Sequence, residues 1–333
     1  MLKFDFFQIL LIILTMPASF FFTKFTILIS NRIGFVNHPN PIIETHKNPT
    51  AYGGGIAIGL TFIIFLLVQS INFEGSLRFI LVLIPIIIIG LLDDLLNYSP
   101  LKKLSFQIIA SLPFLFFYIT TSVPLFIVFL FFILIAQNAW NLVDVMDGLV
   151  AAISSIVFIS AGIILLQVNG MEFYSALSFA IACCLLGFRF LNKSPAKIFL
   201  GEAGSLLLGS LFAFIIISVY LVDKIIAVFS LLLGIIPLFE LLFLIIVRTK
   251  KGIPFYRGSP DHFALRMLNN GLSVKDINKR VILFNTVYSV IIIALGLYAP
   301  TFSSLIICNC SGLIIVTAGY FYFNHLPAKD ISR

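Results

Sequence analysis

The apolar residues of this chain form long blocks that short polar stretches separate. About eleven blocks approach the roughly 20-residue length with which a helix crosses the hydrocarbon core of a bilayer. They cover residues 5–29, 51–71, 77–95, 103–121, 123–140, 147–168, 172–191, 203–222, 225–247, 281–299 and 301–323. We therefore predict an all-α, polytopic integral membrane protein with about eleven transmembrane helices, folded as one transmembrane catalytic domain over residues 1–333.

Composition supports this class, because 60% of the residues are hydrophobic and only 11% are charged. Soluble domains carry roughly 25% charged residues. The net charge of +7 does not indicate nucleic acid as a partner, since Lys and Arg in a membrane protein report topology first. The cysteines lie in apolar blocks, as Cys183 with Cys184 and Cys308 with Cys310, and we interpret them as small buried residues.

The basic residues predict the orientation of the chain. If the polar stretch after the first block is cytoplasmic, only Lys3, Arg78 and Lys224 of the 21 Lys and Arg residues fall outside. The positive-inside rule then predicts an outer N-terminus and a cytoplasmic C-terminus. The first block is too long for a signal peptide and is interpreted as a span. The predicted cytoplasmic loops lie near 30–50, 93–103, 138–148, 189–202 and 248–280.

Unusual polar stretches all fall on this predicted cytoplasmic side, whereas the outer loops are short and nearly featureless. In the middle of the chain, Asn138, Asn141, Asp144 and Asp147 recur every three residues. On a helix they would form one slowly drifting polar stripe, and a solvated loop between helices is the alternative. Carboxylates at the end of a membrane-length segment are costly unless they face water, a metal or a partner.

Two other stretches contain further candidate site residues. Asp93 and Asp94 end the third block, and because adjacent carboxylates repel, we expect a cation near them. Lys103 follows, although snorkelling lysines at an ordinary helix end are the alternative. Glu202 lies among glycines at the start of the eighth block, where the free N–H groups of a helix start suit a phosphate or a metal-bound anion; small residues also serve helix packing.

Two loops complete the polar face. His46 precedes three consecutive glycines, 53–55, which can bend closely around a ligand or give a flexible entry to a helix. The last loop is basic and carries Arg257, Asp261 and His262. It anchors the protein to anionic lipid in part, but a basic loop over a carboxylate cluster also suggests a phosphorylated substrate.

Five acids therefore cluster on one predicted face: Asp93, Asp94, Asp144, Asp147 and Glu202. Oxygen ligands of this kind favour Mg²⁺, or Mn²⁺, over zinc. Phosphoryl transfer needs a metal that neutralises phosphate charge, together with positioned cations. The residues thus predict a metal-dependent phosphoryl-transfer enzyme with a substrate that resides in the membrane.

The stretches 90–94, 138–148 and 199–205, in this order, resemble the motifs of the polyprenyl-phosphate N-acetylhexosamine-1-phosphate transferase family. The resemblance implies transfer of a sugar-1-phosphate from a UDP-sugar to polyprenyl (undecaprenyl) phosphate with release of UMP, as the first membrane step of cell-envelope glycan synthesis. It further implies Mg²⁺, a cytoplasmic active site in the cytoplasmic membrane and a lipid groove between helices. A homodimer is a further expectation.

By position, the resemblance implies catalytic roles for Asp93, Asp94 and Asp147, and metal binding by Glu202 and Asp147. It implies substrate binding by His46, Lys103, Asn138, Asn141, Asp144, Arg257, Asp261 and His262.

The chain departs from the family pattern at several positions. Glu202 replaces an aspartate, Val145 a glycine, and Ala51 with Tyr52 a Pro-Arg pair. The last loop lacks a run of histidines, which favours a simple UDP-N-acetylhexosamine over a muramyl-pentapeptide substrate. The rival hypothesis is a transport or non-catalytic lipid-phosphate-binding protein, which predicts repeats and polar residues near the midplane. We find no repeat, and only Glu240 is an acid well inside a block.

Overall fold

The computed structural model describes residues 4–38, 48–71, 73, 75–118, 122–254 and 256–328. This part of the chain is almost entirely helical, with one small antiparallel pair of strands, β1 (Val36–Asn37) and β2 (Thr50–Ala51). The helices are α1 (Phe6–Ile33), α2 (Gly54–Gln69), α3 (Gly75–Leu96), α4 (Pro100–Tyr118), α5 (Val123–Val143), α6 (Leu149–Leu165), α7 (Glu172–Asn192), α8 (Gly201–Tyr220), α9 (Lys224–Leu232), α10 (Ile235–Lys250), α11 (Phe263–Asn269), α12 (Val274–Tyr298) and α13 (Phe302–His325).

Seven helices among the described residues are long and apolar enough to cross a membrane, namely α1, α3, α5, α7, α8, α12 and α13. The number rises to eight if α9 and α10 form one bent span, and α2 and α6 are shorter apolar helices. The prediction of an all-α protein with several membrane-length helices is confirmed. The count of eleven spans and the orientation of the termini stay predictions.

The ninth apolar block, 225–247, is not the single helix that the pattern predicted. It divides into α9 and α10, whose axes differ by 67°. Gly234 lies at the break, where a Cβ would come 2.7 Å from Cζ of Phe212, so only glycine allows this approach. Pro237 falls in the first turn of α10, where its missing N–H costs no helical hydrogen bond.

Helix α8 forms the centre of the bundle, because 94% of the residues in its apolar stretch are buried inside the protein. A helix that is apolar on every face is expected to be surrounded by other elements, and α8 packs against α2, α3 and α5. In α1 and α13, only 28% and 22% of the residues in the apolar stretch are buried. These two helices therefore lie at the periphery, with apolar faces suited to lipid.

Three helices meet at very short range at the start of α8. The N–H of Gly55 donates to the carbonyl of Leu200 over 2.8 Å, and a Cβ on Gly55 would lie 2.1 Å from the nitrogen of Gly204. A Cβ on Gly90 of α3 would lie 2.3 Å from Cα of Ala203. Gly54 and Gly55 thus allow α2 to pack tightly against the start of α8 and the residues just before it. That the glycines at 53–55 bend around a ligand stays a prediction.

We expect Gly55→Ala to destabilise the protein, because the new methyl group would overlap the backbone of Gly204 and overpacking typically costs about 1–3 kcal/mol. Gly75→Ala is the matched control, since no atom lies within 4 Å of its added Cβ. Thermal unfolding of the detergent-purified proteins measures the difference. Equal melting temperatures for the two variants would contradict this packing.

Candidate active site

The side chain of Asp94, a residue of α3, lies against the N-terminus of α8. Its Oδ1 accepts a hydrogen bond from the N–H of Glu202 over 2.8 Å, and its Oδ2 accepts one from the N–H of Ala203 over 3.2 Å. A carboxylate at this position satisfies free N–H groups and complements the helix dipole. Gly201 has φ +76°, and a Cβ there would lie 2.7 Å from Asp94 Oδ2. The donors predicted to hold a phosphate or a metal-bound anion thus hold the protein's own aspartate.

Asp93 binds a different set of partners. It is only 6% exposed, and its Oδ1 accepts from the N–H of Tyr98 over 2.9 Å. Nζ of Lys103 lies 3.3 Å from Asp93 Oδ2 and 2.5 Å from Oε2 of Glu202. Lys103 is therefore the cation expected near the aspartate pair, and it joins the end of α3 to the start of α8.

The amides of the central stretch project from the last turns of α5. Asn141 Nδ2 donates to Oε2 of Glu202 over 2.7 Å and lies 3.2 Å from Oγ of Ser205. Asn138 Nδ2 donates to Oε1 of Gln107 over 3.2 Å. Because α5 ends at Val143, the predicted helical stripe stops after Asn141, and the two aspartates lie in the turn that follows.

Asp144 and Asp147 differ in their surroundings within this turn. Asp144 is partly buried, and its desolvation together with the charges of Glu202, Asp94 and Asp147 raises its pKa to about 8. Asp147 is 8% exposed, and its Oδ2 accepts from the N–H of Ala196 over 3.0 Å. Asp147 thereby fastens the turn to the segment that precedes α8.

A cavity of about 660 Å³ opens beside these residues. Its charged end is lined by Asp93, Asp94, Lys103, Asn138, Asn141 and Glu202. Its wall is apolar and comes from α4, α5 and α10: Leu104, Ile108, Phe131, Leu134, Ile135, Leu241, Leu244 and Ile245. The cavity therefore suits an amphiphile with an anionic head, held near cations, and an apolar tail.

The cavity also contains residues that the sequence did not single out as site residues. Tyr52 and Arg248 both line it. Burial and the charges of Asp94, Asp144 and Glu202 raise the pKa of the Tyr52 phenol, which keeps it neutral. Arg248 is 3% exposed, and its Nε donates to Oγ of Ser259 over 3.0 Å. Arg248 could have been found from the sequence, because it is the first residue of the basic stretch 248–280.

The last loop forms a second polar cluster. Nδ1 of His262 lies 2.8 Å from Oε1 of Glu240. Asp261 Oδ1 lies 2.6 Å from Nζ of Lys251 and 2.7 Å from Nη2 of Arg266. Burial alone would raise the pKa of Asp261, but the hydrogen bonds and charges of these two cations outweigh burial and lower it.

Six predicted site residues are not part of the described lining of the first cavity. Asp144 and Asp147 lie in the turn after α5. Asp261 and His262 belong to the second cluster rather than to the lining of the cavity. Arg257 is exposed in the loop between α10 and α11. His46 lies outside the described residues.

The carboxylates of the site could provide only a small number of ligands to a metal ion. The described part of the chain holds no group of three or more His, Cys, Asp or Glu side chains arranged to bind an ion. Mg²⁺ commonly uses only one or two carboxylates, with substrate phosphates and water completing its shell. Two carboxylates here could serve as such ligands. Glu202 lies at the charged end of the cavity, and its charge contributes to the raised pKa of Asp144.

Comparison with known proteins gives a family match over the same region. Residues 76–220 match the sequence model of a family described as Glycosyl transferase family 4. The chain is 30% identical over 264 residues to a probable undecaprenyl-phosphate N-acetylglucosaminyl 1-phosphate transferase of Bacillus subtilis (strain 168), covering 74% of this chain and 73% of that protein.

Two further relatives are phospho-N-acetylmuramoyl-pentapeptide-transferases. The protein from Prochlorococcus marinus subsp. pastoris is 30% identical over 225 residues, which is 58% of this chain and 62% of the relative. The protein from Listeria welshimeri is 37% identical over 142 residues, or 41% of this chain and 42% of the relative. The chain therefore spans less than two thirds of the length of these two relatives.

We expect the stability of the metal-free protein to fall as pH rises from about 4 to about 8, because folding raises the pKa of Asp144 from 3.8 to about 8 and so disfavours its ionised form. Asp144→Asn should remove this penalty, with a gain in melting temperature that is larger near pH 9 than near pH 5. Thermal unfolding in EDTA measures it. Asp223→Asn, at the start of α9, is the control and should give a constant shift over this range. A constant shift for Asp144→Asn as well would contradict the clustering of carboxylates.

Proposed function

We propose that this chain, which belongs to glycosyl transferase family 4, transfers an N-acetylhexosamine-1-phosphate from a UDP-sugar to undecaprenyl phosphate and releases UMP. The observation that carries the proposal is the cavity in which Lys103 and a carboxylate cluster adjoin an apolar wall. A polyprenyl phosphate has the same division into a charged head and an apolar tail. The name of the Bacillus subtilis relative specifies undecaprenyl phosphate and the transfer of an N-acetylglucosaminyl 1-phosphate group.

In this reaction an oxygen of the lipid phosphate attacks the phosphorus that carries the sugar. A new P–O bond forms, the bond from that phosphorus to the bridging oxygen breaks, and UMP leaves with the bridging oxygen. Two anions must approach each other, so the site has to supply positive charge and orientation. Lys103, which contacts Asp93 and Glu202, provides a cation at the charged end of the cavity.

The two adjacent aspartates take different roles in this proposal. Asp93 lies against Lys103 and receives one backbone N–H, which places it to orient the head of the lipid phosphate and to accept its proton. Asp94 accepts two backbone N–H groups of α8, which places it to fix Glu202 at the edge of the cavity. Asp147 keeps its predicted catalytic role in this proposal, and its hydrogen bond to Ala196 also fastens the turn that carries Asp144.

Glu202 supports the proposed use of Mg²⁺, with Mn²⁺ as the alternative. When bound, such an ion neutralises charge on the transferring pyrophosphate. Glu202 and Asp144 would hold it by carboxylate oxygens, with Asp147 as the ligand that the family resemblance adds. Lys103 and Asn141 both contact Glu202 Oε2, so they orient this carboxylate.

The remaining predicted residues are proposed to hold the UDP-sugar. Asn138 and Asn141 lie at the cavity, while Asp261, His262 and Arg257 belong to the last loop, and His46 precedes β2 in sequence. By sequence, all of them belong to the loops that the distribution of Lys and Arg predicts to be cytoplasmic. We accordingly propose a cytoplasmic active site in the cytoplasmic membrane, eleven spans with an outer N-terminus, and a homodimer.

The first experiment is UMP release by the detergent-purified protein. With undecaprenyl phosphate, Mg²⁺ and a panel of UDP-N-acetylhexosamines, we expect UMP to appear only when both lipid and metal are present, and EDTA to abolish it. The panel identifies the sugar. Absence of UMP from a folded preparation across the whole panel would overturn the enzyme proposal in favour of a non-catalytic lipid-phosphate-binding protein.

Substitutions in the aspartate pair separate the two proposed roles. Asp93→Asn should lower kcat by about 100-fold, with a small change in melting temperature. Asp94→Asn should lower kcat and also the melting temperature, because a carboxylate that caps a helix contributes about 1 kcal/mol. Asp276→Asn, an exposed acid in the first turn of α12, is the matched control. Unchanged UMP release in both active-site variants would refute these roles.

A further inference from the structure

Glu240 is a buried acid that the proposed chemistry has not used. It lies in the second turn of α10 and is 0% exposed. A carboxylate within an apolar helix is costly unless it faces a partner. Its partners come from the last loop: Oε1 lies 2.8 Å from Nδ1 of His262, and Oε2 accepts from the N–H of Phe263 over 3.4 Å.

This contact fixes the histidine. We assign the proton to Nδ1 of His262, because an ionised Glu240 can only accept, and this assignment leaves Nε2 for another partner. The imidazole keeps 10% of its surface exposed, which is enough for one edge of the ring to meet a ligand. A carboxylate that orients a histidine in this way determines both its tautomer and the direction of its ring.

Helix α10 connects this pair to the first cavity. Leu241 and Leu244, on the turn that carries Glu240, line the cavity, and so does Arg248 one turn later. Arg248 also donates to Ser259 of the loop over 3.0 Å. The loop is therefore attached to α10 at two points, through Arg248, which lines the cavity, and through Glu240, which holds His262.

We infer that Glu240 is a positioning residue, which holds His262 in the tautomer and orientation with which this histidine would contact the UDP-sugar. Glu240 itself does not touch the substrate. This inference rests on the proposed function, since it names the device by which the last loop recognises the sugar nucleotide.

A purely structural role predicts a different result. Replacing both partners of a buried pair by apolar side chains is often neutral, whereas removing one partner leaves the other unpaired and destabilises the protein. The melting temperature of Glu240→Leu is therefore measured beside its kinetics, and a purely structural role would lower this temperature without changing KM. Glu240→Gln keeps an acceptor oxygen for Nδ1–H and serves as the conservative variant that should retain function.

Steady-state UMP release provides the first measurement. For Glu240→Leu we expect KM for the UDP-sugar to rise about 10-fold, the value of one lost hydrogen bond of about 1.4 kcal/mol, while KM for undecaprenyl phosphate stays unchanged. Glu240→Gln should restore most of the affinity. Asn285→Leu, which removes a buried amide bonded to the carbonyl of Ile153 on α6, is the control and should affect stability alone.

A double-mutant cycle tests whether Glu240 acts through His262. In the His262→Ala background, Glu240→Leu should produce no further rise in KM. An equal rise in both backgrounds, or no rise in the wild-type background, would overturn the positioning role and leave the proposed function standing.

Spectroscopy separates the two possible failures. The chain has only 4 histidines, so the ¹⁵N signals of the labelled protein can be assigned by single substitutions. We expect the Nδ1 signal of His262 to be that of a protonated, hydrogen-bonded nitrogen, and to shift in Glu240→Leu. A wild-type protein that shows this signal but releases no UMP would overturn the proposed function, and the role of Glu240 with it, while an Nδ1 without a proton would overturn the pairing itself.

Discussion

The carboxylate of Asp94 at the N-terminus of α8 is the interaction on which the rest of the site depends. It fixes the end of α3 against the start of the most buried helix. That contact requires backbones to approach more closely than side chains normally allow, and Gly55, Gly90 and Gly204 provide the space. With α3 and α8 joined at this point, Asp93 and Glu202 both lie within ion-pair distance of Lys103. The charged end of the cavity is thus a consequence of helix packing.

The class of the protein and most of the cavity were predictable from the sequence, for physical reasons. Long apolar blocks specify membrane-length helices whatever their partners, and acids at the ends of such blocks are too costly to be incidental. Asp93, Asp94, Lys103, Asn141 and Glu202 were found in this way, and the structure brings them together. The break between α9 and α10 was not predictable, because it depends on how Phe212 packs against Gly234, a contact between residues distant in sequence.

Local sequence patterns did not determine which residues the polar side chains of the site bind. The N–H groups at the start of α8 looked available in the sequence, and only the folded chain shows that Asp94 uses them. Glu240 was identified only as an acid well inside an apolar block, and the structure shows His262 as its partner. In both cases a polar group was identified correctly but its partner, 22 or more residues away, decides its role. Pairing over such separations follows from tertiary packing rather than from spacing.

The replacement of aspartate by Glu202 becomes intelligible through the same geometry. Its backbone N–H is held by Asp94, so the side chain starts from a fixed point at the helix N-terminus. The additional methylene extends the carboxylate to Lys103 and Asn141. Within the resting site, Lys103 therefore supplies the positive charge that adjacent carboxylates require. Because Lys103 is also the cation at the charged end of the cavity, the charge balance among the acids and the proposed binding of the lipid phosphate share one ammonium group.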